Sequence, residues 1–187
     1  MIQFPIRPKA GRLIAVAGAV LSMSAICAVT CTPTAHATSA SAPCAGASDL
    51  HLRIADQGRE TAGITDYTLD FTNTSRSTCS LSGYPYVSMV SRKGSQLGSP
   101  AGRGLMTIAP LVILAPGATA HTTLAYHGRT INARRGCGPV ATAFELRVYV
   151  AGQKLALYGA MGLHACSHAG QVYLTITGPF RAGAGPS

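Results

Sequence analysis

The stretch Phe144-Glu145-Leu146-Arg147-Val148-Tyr149-Val150 decides the fold class. Its apolar residues recur at every second position with Glu145, Arg147 and Tyr149 between them, the pattern of a strand with one face on a core and the other in solvent. A helix would need apolar spacings of three and four. Ala151-Gly152-Gln153-Lys154 then turns the chain into Leu155 to Tyr158, which predicts a hairpin.

The same alternation appears on the N-terminal side. Leu50, Leu52 and Ile54 flank His51 and Arg53, and Tyr67, Leu69 and Phe71 flank Thr68, Asp70 and Thr72. Cys79 and Leu81 continue it up to Gly83, and Val87 and Met89 lead to a turn at Arg92-Lys93-Gly94-Ser95. The loop with Gly98, Pro100, Gly102 and Gly104 is poor in regular structure by composition. Leu111 to Leu114 stops at Pro116-Gly117, a dipeptide suited to a type II turn, and Ala118, Ala120, Thr122, Leu124 and Tyr126 then share one face. Val172, Leu174 and Ile176 form the last strand, ended by Gly178-Pro179. About 7–9 short strands punctuated by Gly, Pro and Ser, without an amphipathic helix of ten or more residues after the first 37, predict an antiparallel β-sandwich. No Trp is present, which argues against a true antibody-type core.

The beginning of the chain reads differently. Arg7, Lys9 and Arg12 form a basic start, Leu13 through Thr30 carry no charge, and Ala35-His36-Ala37 is a small-x-small cleavage site. Residues 1–37 are therefore expected to be a secretory signal peptide. An uncleaved membrane anchor and a lipid-modified Cys27 or Cys31 are the lesser readings, and they supply the only expected membrane attachment. Residues 38–48 read as a flexible tether, 49–180 as the sandwich domain and 181–187 as a disordered tail. Of 187 residues, 47% are hydrophobic and 11% charged, which excludes intrinsic disorder as a class. The whole chain carries +9; without the signal, twelve basic and six acidic residues leave +6.

Cys44, Cys79, Cys137 and Cys166 remain after the signal, an even number in a chain bound for an oxidising compartment. Four cysteines allow three connectivities. The favoured one pairs Cys44 with Cys79 and Cys137 with Cys166, since each bridge then staples neighbouring strands, at about 3.5 kcal/mol each by chain entropy.

Phe71-Thr72-Asn73-Thr74, Thr78-Cys79-Ser80-Leu81-Ser82-Gly83-Tyr84-Pro85, Leu97-Gly98 and Leu114-Ala115-Pro116-Gly117-Ala118-Thr119-Ala120 resemble, in order and spacing, a family of secreted actinobacterial proteins. It is the domain of unknown function four-two-three-two, and the resemblance covers about residues 44 to 178. It implies an immunoglobulin-like sandwich on an exported or envelope-attached protein, with no assigned activity. Physically, Asn73 before Thr74-Ser75-Arg76-Ser77 suits a tight turn, because Asn tolerates the left-handed region and bonds its own backbone. Gly83-Tyr84-Pro85 would bend the chain between sheets while Tyr84 covers the core edge.

Candidate sites are few. Arg129, Arg134 and Arg135 cluster with His127 before Cys137, and Arg92-Lys93 and Arg103 occupy another loop region. Guanidinium groups in a loop grip phosphates or carboxylates in pairs, so an envelope protein or an anionic cell-surface polymer is the expected partner. Nucleic acid is disfavoured by the export signal and the scarcity of aromatic rings. His164, Cys166 and His168 alternate and offer an alternative, a copper or zinc carrier using His164 and His168, though an oxidised Cys166 removes the sulfur. Asp49, Asp56, Glu60, Asp66, Asp70 and Glu145 are too few for paired-carboxylate chemistry, and Asp70 and Glu145 are expected as solvated surface groups. No Gly-x-Ser-x-Gly elbow, phosphate loop or dinucleotide fingerprint occurs. The expectation is a non-enzymatic binding protein without a cofactor, with a secreted hydrolase as a third reading.

Overall fold

Residues 41–104, 107–131 and 136–186 are described by a computed structural model, with the backbone alone for 56–59. The signal segment, the first tether residues, and Arg134 and Arg135 lie outside the described residues. Strands are β1 (Leu50–Thr61), β2 (Ile64–Asn73), β3 (Cys79–Leu81), β4 (Tyr86–Val90), β5 (Gln96–Leu97), β6 (Gly102–Arg103), β7 (Val112–Leu114), β8 (Thr119–Tyr126), β9 (Val140–Tyr149), β10 (Leu157–Cys166), β11 (Leu174–Ile176) and β12 (Arg181–Ala182). One short helix, α1 (Gly128–Ile131), joins β8 to β9.

One sheet runs β1-β2-β8-β11-β6, and the other runs β10-β9-β4-β5, with β3 and β7 as a separate pair. The orders β1-β2-β8 and β10-β9-β4 match the A-B-E and G-F-C sheets of an immunoglobulin-like sandwich. All principal pairings are antiparallel, and β11 with β6 is parallel. Inward residues of both sheets form one core: Leu52, Leu69, Phe71 and Leu124 from the first, Val87, Met89, Leu146 and Val148 from the second. Phe71 and Phe180 meet edge to face at 5.1 Å between centroids, a geometry that adds to simple area burial.

The turns follow their residue chemistry. Ala118 donates to Ala115 O at 2.9 Å and Gly117 has φ 80°, which is the geometry of a type II turn around Pro116-Gly117. Ala62 (φ 54°) and Gly63 (φ 84°) close the β1–β2 hairpin between Thr61 and Ile64, both left-handed as a two-residue type I′ turn requires. Gly83 has φ 77°, and Tyr84 turns under it into the core edge. The Tyr84 hydroxyl accepts the Thr107 N–H at 2.8 Å and bonds the Thr107 carbonyl at 3.1 Å, so the irregular loop after β6 is pinned from inside. The Thr107 side-chain hydroxyl, 3.3 Å away, and then its backbone N–H hold the Tyr84 phenol below its ordinary pKa.

Five expectations need correction. A register shift in the β9–β10 pair leaves Ala143 and Leu146 buried and turns Phe144 outward, so the opening alternation holds only from Leu146 onward. Tyr173, not Val172, enters the core: Val172 is 57% exposed, while the Tyr173 hydroxyl donates to Leu97 O at 3.1 Å. Gly98 makes that possible, because a Cβ there would lie 2.1 Å from the Tyr173 oxygen.

The tether and the tail are also ordered parts of the domain. Cys44 is buried, its N–H bonds Ser80 O at 3.0 Å, and Pro43 bridges to Ser80. At the other end β12 pairs with β8 beside β11, so that 181–182 complete an edge strand interrupted where Phe180 enters the core. Residues 183–186 then cross the outer face of the first sheet. Gly185 N–H donates to Asp70 Oδ1 at 2.9 Å, Thr68 Oγ1 donates to Pro186 O, and His121 Nδ1 lies 2.9 Å from Gly183 O. Asp70, expected in solvent, is consequently only 2% exposed and is met by Arg53 at 2.7 Å. Glu145 is exposed.

Candidate functional site

The disulfides join Cys44 to Cys79 and Cys137 to Cys166, with Cα–Cα distances of 4.9 and 4.7 Å. Both sulfurs of the second pair are buried, so Cys166 offers no thiolate to a metal. His164 is exposed on β10 and His168 lies beside Gly138. Among the described residues no group of three or more His, Cys, Asp or Glu side chains is placed to hold a metal ion.

Among the described residues predicted to bind a ligand, Arg129 and His164 line one cavity. The four-residue α1 is anchored by buried Ile131 and tied back by Thr130, whose N–H and hydroxyl both donate to His127 O at 3.1 and 2.8 Å. Arg129 thus projects over the tip of the β1–β2 hairpin. A Cβ on Gly63 would lie 2.3 Å from Arg129 Cδ, so only the glycine lets the arginine stem rest there. Its guanidinium is 3.7 Å from Glu60 Oε1, with both side chains mostly in solvent. A pair so exposed is held by well under 1 kcal/mol, so Arg129 is free to take another anion.

Beneath this pair lies a cleft of about 340 Å³, lined also by Thr65, Tyr126, Ile131 and His164. The Tyr126 hydroxyl donates to His164 O at 2.9 Å, and burial pushes its pKa up to about 12. It is a fixed neutral wall, with its proton committed to a carbonyl. The cleft combines a cation and a carboxylate at its rim with an apolar, hydrogen-bonded floor.

His127 is drawn away from the cleft residues toward β11, its Nε2 3.4 Å from Thr175 Oγ1. Of the other described arginines predicted as loop cations, Arg92 in the turn after β4 sits 4.4 Å over the Phe144 ring, and Arg103 on β6 of the first sheet reaches 4.6 Å over the Tyr86 ring of the second. Glu60 and Tyr126 were not read as site residues from sequence. The signal for Glu60 was the Ala62-Gly63 pair two residues on, which marks a hairpin tip and so places Glu60 at an edge; Tyr126 carried none beyond its inward parity.

Among the described residues no helix is long and apolar enough to cross a membrane. Two disulfides in a small β domain fit an oxidising compartment. No curated protein and no solved structure matches the chain. The buried Asn73, Cys79, Tyr84 and the Pro116-Gly117 turn are the frame of the motifs quoted above, and a family match spans them: over residues 44–178 the chain belongs to the family described as domain of unknown function (DUF4232).

Proposed function

We propose that the protein is an exported, non-enzymatic binding module of the envelope or extracellular space that takes an anionic surface ligand at the Arg129 cleft. The exposed guanidinium poised over Gly63 at the mouth of a 340 Å³ cleft carries this reading. The signal-like residues 1–37, the secreted actinobacterial character of the family it resembles, and the +6 charge left after that segment support the address and the sign of the ligand. The floor favours binding over catalysis, because Tyr126 holds its proton at neutral pH and spends it on a backbone carbonyl.

The test is equilibrium binding of the oxidised protein to poly(glycerol phosphate), with dextran as the neutral control. Arg129→Ala should weaken binding about tenfold, the scale of one charge-assisted hydrogen bond. No preference for the anionic polymer, or an unchanged affinity of the variant, would remove the proposal.

A further inference from the structure

The open face of the second sheet carries a different chemistry. Register places Tyr86 of β4 opposite Tyr149 of β9, and Ser88 opposite Arg147, which in turn faces Tyr158 of β10. Tyr86 and Tyr158 are 56% and 53% exposed. Three tyrosines that are distant in sequence thus share one surface with Arg147 and Arg103. Tyr and Arg are enriched at the energetic centres of protein interfaces, Tyr for its large rigid area at small entropic cost and Arg for its fork of donors.

The arginines are preorganised. Arg103 lies over the Tyr86 ring at 4.6 Å and Arg147 reaches the Tyr149 ring at 6.0 Å. A guanidinium held over a ring keeps N–H groups for an acceptor. Beside Arg147 is a pocket of about 170 Å³, bounded also by Tyr86, Tyr149, Gln96 and Pro100. Arg147 Nη2 donates to Gln96 Oε1 at 2.9 Å, while its Nε is buried and has no acceptor among the described residues. A buried guanidinium N–H without an acceptor is costly, and a carboxylate paired with the Arg147 guanidinium through the pocket would offset that cost.

We infer that this face docks a protein partner that inserts an acidic side chain beside Arg147 and packs apolar surface on Tyr86 and Tyr158. The pocket is small enough for one side chain, whereas a polymer of repeating charge calls for a row of cations. Arg103 and Arg147 on the face, with Arg92 over Phe144 farther along β9, outnumber the one acid placed there among the described residues, Glu145. A second copy would bring the same cations against them, so like charges oppose self-pairing.

The probe is a random copolymer of glutamate and tyrosine, titrated against the oxidised protein at low and at physiological salt. Wild type should bind it more tightly than polyglutamate. Arg147→Ala should weaken binding at least tenfold and Arg147→Lys should fail to restore it, because the ammonium lacks the planar fork. Tyr158→Ser, which alters an exposed side chain and so keeps the fold, should weaken it about fivefold, and Arg147→Ala should leave the affinity for poly(glycerol phosphate) unchanged, which separates this face from the cleft. Absent binding, a wild-type affinity for Arg147→Ala, full competition by poly(glycerol phosphate), or a sedimenting dimer dissociated by Tyr158→Ser would each overturn the inference.

Discussion

Asn73 Nδ2 donates to the carbonyl of Leu114 at 2.9 Å, so one side chain at the end of β2 ties down the end of β7, 41 residues away. The same amide donates to Ser77 O, and Asn73 Oδ1 accepts both the N–H and the hydroxyl of Ser75. Its backbone pairs with the Pro116-Gly117 turn through Gly117 N–H and Ala118 O. Asn73 is fully buried, with its amide hydrogens and its side-chain oxygen occupied. Asn73→Ala should lower stability by about 2–4 kcal/mol, since it strands two carbonyls and two donors. Asn73→Asp should cost at least as much, because it turns acceptors toward acceptors. Urea unfolding midpoints at neutral pH will read both.

The chain end and the Arg53–Asp70 pair are predicted to be coupled. In the intact protein Arg53→Ala leaves a buried carboxylate with the Gly185 N–H but no cation, and should cost about 2 kcal/mol. Asp70→Asn should cost less, because Arg53 is half exposed and returns to water. Removing residues 183–187 opens Asp70 to solvent, after which Arg53→Ala should cost under about 0.5 kcal/mol, as for a surface pair. Additive losses would mean that the end segment does not cover this pair.

Alkaline unfolding should carry the signature of buried phenols. Tyr126 has its pKa raised by desolvation to about 12, and burial raises Tyr173 as well. Above pH 10 the unfolded chain releases these protons while the native state keeps them, so stability is full below about pH 10 and falls between pH 10 and 12. The loss for Tyr126 alone is about 2–3 kcal/mol across that interval. Tyr126→Phe should flatten the slope while forfeiting about 1 kcal/mol for the bond to His164 O. Denaturant midpoints at pH 9, 10 and 11, with tyrosinate absorbance, would decide this; a slope unchanged by the substitution would count against it.

Ala62 is the one described non-glycine residue with positive φ, at 54°. A Cβ in that region costs about 1 kcal/mol, and Asn tolerates it better. Ala62→Asn should therefore raise the melting temperature by a few degrees, about 0.5–1 kcal/mol. Gly63→Ala at the next position should do the reverse and displace Arg129, visible as lost stability together with weaker anion binding.

Period-two alternation identified most strands, because a half-buried sheet imposes it directly. It failed where an unseen feature changes parity. The register shift before Glu145 turns Phe144 outward, and the hydroxyl of Tyr173 finds Leu97 O only because Gly98 stands aside. Asp70 looked solvated because its covering residue, Gly185, lies 115 positions away. The β10 strand reads short for a related reason: Gly159 and Gly162 break its apolar run, though it continues to Cys166. Arg129 was legible as a loop cation, but its cleft depends on the β1–β2 hairpin tip. The Tyr86, Tyr149 and Tyr158 surface depends wholly on cross-strand register, which no local pattern states.

The Cys44–Cys79 bond has a mechanical consequence. Residues 41–44 lie along β3 and are joined to it through Ser80 as well as through sulfur, before the chain enters β1. Tension applied from the N-terminal side therefore enters the domain at β3 and passes to β7 across the Cys79–Leu114 pairing, leaving the β1–β2 hairpin unloaded. With the bond reduced, the same pull would peel β1 from the edge of its sheet. A domain held by its N-terminal end would thus stay folded under loads that open its reduced form at once, a difference that single-molecule extension with and without reductant measures directly.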